Sequence, residues 1–153
     1  GEMEVNNLTN KFYINRTSWL FGENGNNFIK AIVKIAQKNM NLRIVNDQFG
    51  APTYTMDLAI AISIIITKNK YGIYHVSNQG VTNWCEFAKY FLGKIPDLKD
   101  TPVKPISSEE YEAPAIRPKY SVLRNTVLEL DFKYSLPSWQ NAVDSYLRKE
   151  YEI

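Results

Sequence analysis

A chain of 153 residues with 44% hydrophobic content has the size and composition of one globular domain with a sizeable core. Its 18 Lys and Arg residues against 16 Asp and Glu leave a net charge of +2 with the cations dispersed, which excludes the field expected of a protein partnered with nucleic acid or an anionic membrane surface. The longest apolar stretch, Leu58 to Ile66 broken by Ser63, falls far short of the roughly 20 residues that span a bilayer, so the chain reads as soluble, and the single cysteine, Cys85, excludes an internal disulfide or a thiolate metal cage and fits a reducing cytoplasm.

Strands and helices alternate along the chain with no internal repeat, which predicts an α/β fold in a single domain over residues 1–153. Phe12 to Trp19 is rich in β-branched and aromatic residues and predicts a strand ending at Gly22. Asn24-Gly25-Asn26 supplies a turn before Phe28, Ile32, Ile35 and Ala36, which recur at helical spacing. Asn41 to Val45 predicts a short strand running into a loop from Asp47 to Thr53. Thr55 is placed to cap a helix from Met56 to about Thr67, apolar on nearly every face and therefore expected to be buried on most sides. Tyr71 to Ser77 predicts another strand, after which Thr82 caps a helix with Trp84, Phe87, Ala88 and Phe91 on one core stripe, ending near Gly93 and Pro96. Thr101 to Pro118 holds four prolines and several charges and reads as irregular or edge structure. Ser135 then caps a last helix with Trp139, Ala142, Val143, Tyr146 and Leu147 at core spacing.

Several chemistry-bearing residues have plain structural readings. Cys85 reads as a small buried apolar residue, and Arg16, expected to be buried on its strand, must be paired. His75 has no second metal ligand at a useful spacing and assembles no nucleophile series with Ser77 and Asp144. Tyr90 and Lys94 have the spacing of a Tyr-x-x-x-Lys pair, but Gly93 makes Lys94 a helix terminus, so the spacing need not place both groups on one face, and Tyr90 reads as an amphipathic-helix residue.

Six segments in order carry a resemblance: Arg16-Thr17-Ser18-Trp19-Leu20-Phe21-Gly22, Asn27-Phe28, Asp47-Gln48-Phe49-Gly50-Ala51-Pro52-Thr53, Asp57-Leu58-Ala59, Gly72-Ile73-Tyr74-His75-Val76-Ser77, and Arg117-Pro118-x-x-Ser121-x-Leu123. Together they resemble the dTDP-4-dehydrorhamnose reductase family of extended short-chain dehydrogenases/reductases. The resemblance implies the carboxyl-terminal, substrate-binding portion of a Rossmann-like reductase, without the amino-terminal dinucleotide-binding half. Gly1-Glu2 then matches a Gly-Glu pair that follows the catalytic Lys, unless it is a tag remnant, and Glu2 to Leu8 becomes the tail of the helix that carries Tyr and Lys.

In that family the full-length enzyme passes a hydride from NADPH to the C4 ketone of dTDP-4-dehydro-L-rhamnose while Tyr protonates the oxygen. This chain contains no Gly-x-x-Gly-x-x-Gly or Gly-x-Gly-x-x-Gly, so alone it is expected to hold no cofactor and to be inactive. A magnesium-bridged dimer occurs in some relatives, which leaves magnesium open for the full-length protein. Two other readings stand beside the reductase: a non-catalytic regulatory subunit of methionine adenosyltransferase, from the same family, and an unrelated small α/β binding module. The expected partners are a dTDP-sugar and a second copy of the chain, the latter because a sheet without its first strands exposes an edge at Phe12 to Trp19.

For a sugar nucleotide the resemblance assigns Arg117 to the diphosphate and the loop with Gln48, Phe49, Pro52 and Thr53 to the base and sugar. Without it, Arg117 reads sooner as a surface or structural ion pair, and Phe49 equally as a core plug beside a turn shaped by Gly50 and Pro52. Trp19 falls at a strand's carboxyl end, where open α/β sheets place ligands, and its indole N–H suits a hexose hydroxyl; core packing is the alternative. Asn26 and Asn27 stand where a helix begins and read either as anion ligands or as simple caps.

Overall fold

The computed structural model describes residues 1–38, 41–111, 115 and 117–153. Strands pair two at a time. β1 (Tyr13–Arg16) runs parallel to β6 (Gly72–His75), β2 (Leu20–Phe21) to β5 (Thr53–Tyr54), and β3 (Leu42–Val45) to β8 (Val103–Ile106), while β4 (Phe49–Gly50) is antiparallel to β7 (Thr82–Asn83). The helices are α1 (Glu2–Leu8), α2 (Phe28–Ala36), α3 (Thr55–Ile66), α4 (Trp84–Lys94), α5 (Ser108–Tyr111), α6 (Thr126–Phe132) and α7 (Trp139–Glu150). Parallel pairing needs long crossovers: α2 lies in the one from β2 to β5, α2 and α3 in that from β1 to β6, and α3 and α4 in that from β3 to β8.

The larger core lies among α2, α4 and α7. Ile29, Ile32, Val33 and Ala36 form the buried stripe of α2, Cys85, Phe87, Ala88, Phe91 and Leu92 that of α4, and Trp139, Ala142, Val143, Tyr146 and Leu147 that of α7. Each helix starts with a side-chain cap: Asn27 accepts from the Lys30 N–H (3.0 Å), Asn83 from Glu86 (2.9 Å) and Ser138 from Asn141 (3.2 Å). Caps of this kind contribute about 1 kcal/mol each. A second cluster joins Ala61 and Ile65 of α3 to Tyr74, Val76, Leu128 and Leu136.

Several expected elements are revised by tertiary packing. Phe12 to Trp19 is not one strand: Trp19 takes a left-handed backbone (φ 48°) and separates β1 from β2. α3 begins at Thr55 itself, with Tyr54 at the cap position and no side-chain cap bond. It is also far from buried, since only Ala61 and Ile65 are enclosed while Met56, Ile60 and Ile66 are exposed; apolar composition buries nothing unless a second element faces it. Thr82 pairs in β7, leaving the cap of α4 to Asn83, and Ser138 rather than Ser135 caps α7. Arg16 is exposed, and its guanidinium is paired with the carboxylate of Glu2 on α1 (Nε–Oε1 2.9 Å). The proline-containing tract from Thr101 contains β8, a full partner of β3, and the part of it at 112–114 and 116 lies outside the described residues. No helix of the described residues is long and apolar enough to cross a membrane.

Candidate functional site

The loop from Asp47 to Thr53 is held from three sides. Asp47 accepts from both the backbone N–H (3.0 Å) and hydroxyl (2.6 Å) of Ser108 at the start of α5, and the Ser108 hydroxyl bond is the main reason the Asp47 carboxyl is held below its usual range. Gln48 Nε2 donates to the same Ser108 hydroxyl (2.9 Å), which ties down the amide and leaves its carbonyl oxygen as an acceptor. On the second side, β4 pairs with β7. On the third, the Phe49 N–H donates to the Lys119 carbonyl (2.8 Å), and the Ser121 N–H returns to the Phe49 carbonyl (2.9 Å). This bridge lays the segment of Arg117, exposed and two residues before Lys119, alongside the loop. Phe49 is itself 38% exposed, so it is not a core plug.

Beneath the loop stands an aromatic stack. The indoles of Trp19 and Trp84 lie 3.6 Å apart, nearly parallel at 11°, and Trp84 meets Phe28 at 4.6 Å. Trp19 is half-buried, and none of the described residues accepts from its Nε1–H. A left-handed backbone costs a tryptophan about 1–2 kcal/mol. The surroundings hold it: the Trp19 carbonyl accepts from the Thr53 N–H (3.1 Å), and Ser18 Oγ donates to the Ala51 carbonyl (2.9 Å). Gly50 is required here, since a Cβ would fall 2.4 Å from Trp19 Cε2.

The remaining expected residues divide. Pro52 and Thr53 are buried, with the Thr53 hydroxyl turned to the Ala51 carbonyl (3.4 Å), so they shape the loop from within. Asn27 spends both ends of its amide inside the protein, Oδ1 on Lys30 and Nδ2 on the Gly22 carbonyl (2.8 Å), whereas Asn26 is exposed. Asn78 is the hub behind the loop: its Oδ1 accepts from the Tyr54 N–H (2.8 Å) and its Nδ2 donates to Asp57 (2.7 Å) and to the Pro137 carbonyl (3.1 Å). Sequence reasoning missed Asn78 and Ser108 because their contacts span tens of residues. Its reading of Trp84 as part of the core stripe holds, since the half-buried ring packs against the main core, and the stack on Trp19 is what it did not see.

An open cleft of about 370 Å³ lies beyond the Phe49–Tyr120 bridge, lined among others by Gln79, Val81, Tyr120, Val122, Arg124 and Asn125. The Gly22-Glu23-Asn24-Gly25 turn before α2 does not make a dinucleotide cradle, since Phe28 stands where a third glycine belongs and packs on Trp84. No cluster of three His, Cys, Asp or Glu suited to a metal occurs among the described residues. Tyr90 and Lys94 share one face, because α4 runs on through Lys94: Nζ lies 5.0 Å from the Tyr90 ring centroid. Burial and its bond to Asp144 (3.1 Å) raise the Tyr90 pKa, with Lys94 opposing the rise. His75 is a half-buried β6 residue.

The chain matches the RmlD substrate binding domain over residues 1–152. It is 38% identical over 149 residues to the spore coat polysaccharide biosynthesis protein SpsK of Bacillus subtilis, covering 97% of this chain and 51% of that protein. Among solved structures it is similar to the dTDP-4-dehydrorhamnose reductase of Bacillus anthracis in complex with NADP (40% identity, TM-score 0.91, 97% of this chain and 52% of that one). The reductase ortholog of Clostridium acetobutylicum is alike at 36% identity and TM-score 0.91, over 99% of this chain and 53% of its own. The chain thus spans about half the length of the relatives it matches, and its α/β fold is that of the corresponding part of a Rossmann-like extended short-chain reductase. On the match that runs from Gly1 to Glu152, the chain belongs to the RmlD substrate binding domain family.

Proposed function

We propose that this chain is the sugar-nucleotide-binding portion, as one domain over residues 1–153, of a cytoplasmic reductase that converts dTDP-4-dehydro-L-rhamnose to dTDP-L-rhamnose with NADPH. The observation that carries the reading is the double backbone bond at Phe49, which sets the Arg117 segment beside the Gln48–Phe49 loop above Trp19. These are the parts a nucleoside diphosphate sugar needs: a cation for the diphosphate, a ring and an amide acceptor for the base, and a neutral donor for the sugar. Arg117 takes the diphosphate, with the exposed Asn26 near the start of α2 as a second polar contact. The exposed ring of Phe49 and the Gln48 carbonyl oxygen suit the base, whose imide N–H needs an acceptor, and the Trp19 Nε1–H suits a hexose hydroxyl. Pro52, Thr53 and Asn27 act from behind by fixing the loop and the helix start. NADPH supplies the hydride in the whole enzyme; the residues present here do not fit it, and no step on it is assigned to them.

Titration of dTDP into isotope-labelled protein tests this reading. Expected are shifts at Gln48 and Phe49 and an affinity of about 1 mM, or ~−4 kcal/mol, with Trp19 shifting only when dTDP-L-rhamnose, which carries the hexose, replaces dTDP. Arg117→Ala should weaken binding about tenfold by losing a charge-assisted bond. Shifts confined to Tyr90–Lys94, with the Phe49 loop silent, would place the pocket elsewhere.

A further inference from the structure

We propose that Trp84 is a positioning residue of this pocket: by stacking on Trp19 it holds the left-handed backbone there, and so sets where the Trp19 indole stands beneath the loop. The proposal deepens the sugar-nucleotide reading and rests on it for the ligand, though not for the geometry. Trp19 is one of three non-glycine residues with positive φ among those described, and the other two, Lys133 and Glu152, are a helix end and a position next to the terminus. Trp19 alone of the three lies between two strands, with its carbonyl bonded to Thr53 in the loop. A bulky residue stays left-handed only where its surroundings over-determine it.

Two contacts do so. Gly50 leaves room for the ring, and any Cβ there would meet Cε2, Cζ2 and Nε1 of Trp19 at 2.4 to 2.8 Å. Trp84 covers the ring at 3.6 Å. Trp84 is in turn fixed, since it is the first residue of α4, directly after the Asn83 cap, and packs on Phe28, the first residue of α2. Two capped helix starts thus converge on one aromatic ring, which bears on the only non-glycine residue between strands that is held left-handed among those described. A core tryptophan needs no such arrangement. A residue that must present its N–H at one place does.

The test compares Trp84→Leu and Trp84→Phe with the wild-type chain. The backbone carbon shifts of Trp19 report φ, and a titration with dTDP-L-rhamnose, which carries the hexose assigned to Trp19, reports the pocket. Trp84→Leu should move the Trp19 shifts out of the left-handed range and weaken dTDP-L-rhamnose about fivefold, within the worth of one aromatic pair. Trp84→Phe, which keeps a flat ring, should retain both. Unchanged Trp19 shifts in Trp84→Leu overturn the proposal, whether or not dTDP-L-rhamnose binds. Altered Trp19 shifts in a chain that binds no dTDP-L-rhamnose even before mutation uphold the positioning role and remove the nucleotide reading instead. If Trp84→Leu does not fold, Phe28→Leu removes the ring that packs on Trp84 and keeps both tryptophans. Loss of Trp19–Trp84 ring NOEs together with the left-handed shifts supports the proposal, and loss of the NOEs with the shifts unchanged overturns it.

Discussion

Asp57 shows how a single residue behind the site couples it to pH. It sits in the first turn of α3, where burial raises its carboxyl pKa and the Asn78 Nδ2–H bond (2.7 Å) opposes the rise. A folded-state pKa above the unfolded value means that the native chain binds the proton more tightly. The contribution of Asp57 to stability therefore increases as pH falls through the folded pKa, and is least at neutral pH. Urea unfolding of wild type and Asp57→Asn from pH 7 to pH 4 should show the wild type gaining relative to the variant as the pH falls. A constant difference would mean that the carboxyl titrates normally. Asp47 has the opposite sign: its depressed pKa stabilises above the ordinary carboxylate range and is lost on acidification, and it cancels in this comparison because both proteins carry it. The identities of Gln48, Phe49 and Arg117 as candidates were readable from the motif. That Pro52 and Thr53 point inward, and that Asn27 has no amide group to spare, depends on neighbours that no local pattern names.

At the scale of elements, α2, α4 and α7 were legible because each repeats its apolar residues at 3.6-residue spacing and begins at a capping residue type. α3 was misjudged for the same reason. Being apolar on all sides, it carries no periodicity to say which side is covered, and the fold covers only one. Met56, Ile60 and Ile66 are 43%, 44% and 57% exposed, an apolar surface of the kind usually covered by association. β1 adds to it, since its edge away from β6 has no strand among the described residues. Sedimentation at high micromolar concentration should therefore show a dimer or larger species. Ile60→Lys should shift it toward monomer while changing stability by no more than about 0.5 kcal/mol, as an exposed substitution does. A wild type that sediments as a monomer would mean the α3 face is tolerated in water. α6 went unseen because seven residues with one buried leucine, Leu128, offer no repeat to detect.

For the molecule as a whole, the purified chain with NADPH and dTDP-4-dehydrorhamnose should oxidise the cofactor only at background rate, because it has no Gly-rich phosphate turn and the hydroxyl of its Tyr90–Lys94 pair is spent on Asp144. Turnover above background, abolished by Tyr90→Phe, would show that the α4 pair is catalytic after all. The α/β alternation, the helix stripes, the buried Cys85 and the family itself were determined by the sequence alone, since periodicity, caps and ordered motifs are local properties of neighbouring residues. The kink at Trp19, the open face of α3 and the meeting of Asp47 and Gln48 with Ser108, some 60 residues away, were decided only by the tertiary structure. The physical reason is that each is a contact between segments distant in sequence. Whether a ring stacks, an amide is spent or an apolar face stays wet depends on what the fold brings against it, and nothing in the residue's own neighbourhood along the chain carries that information.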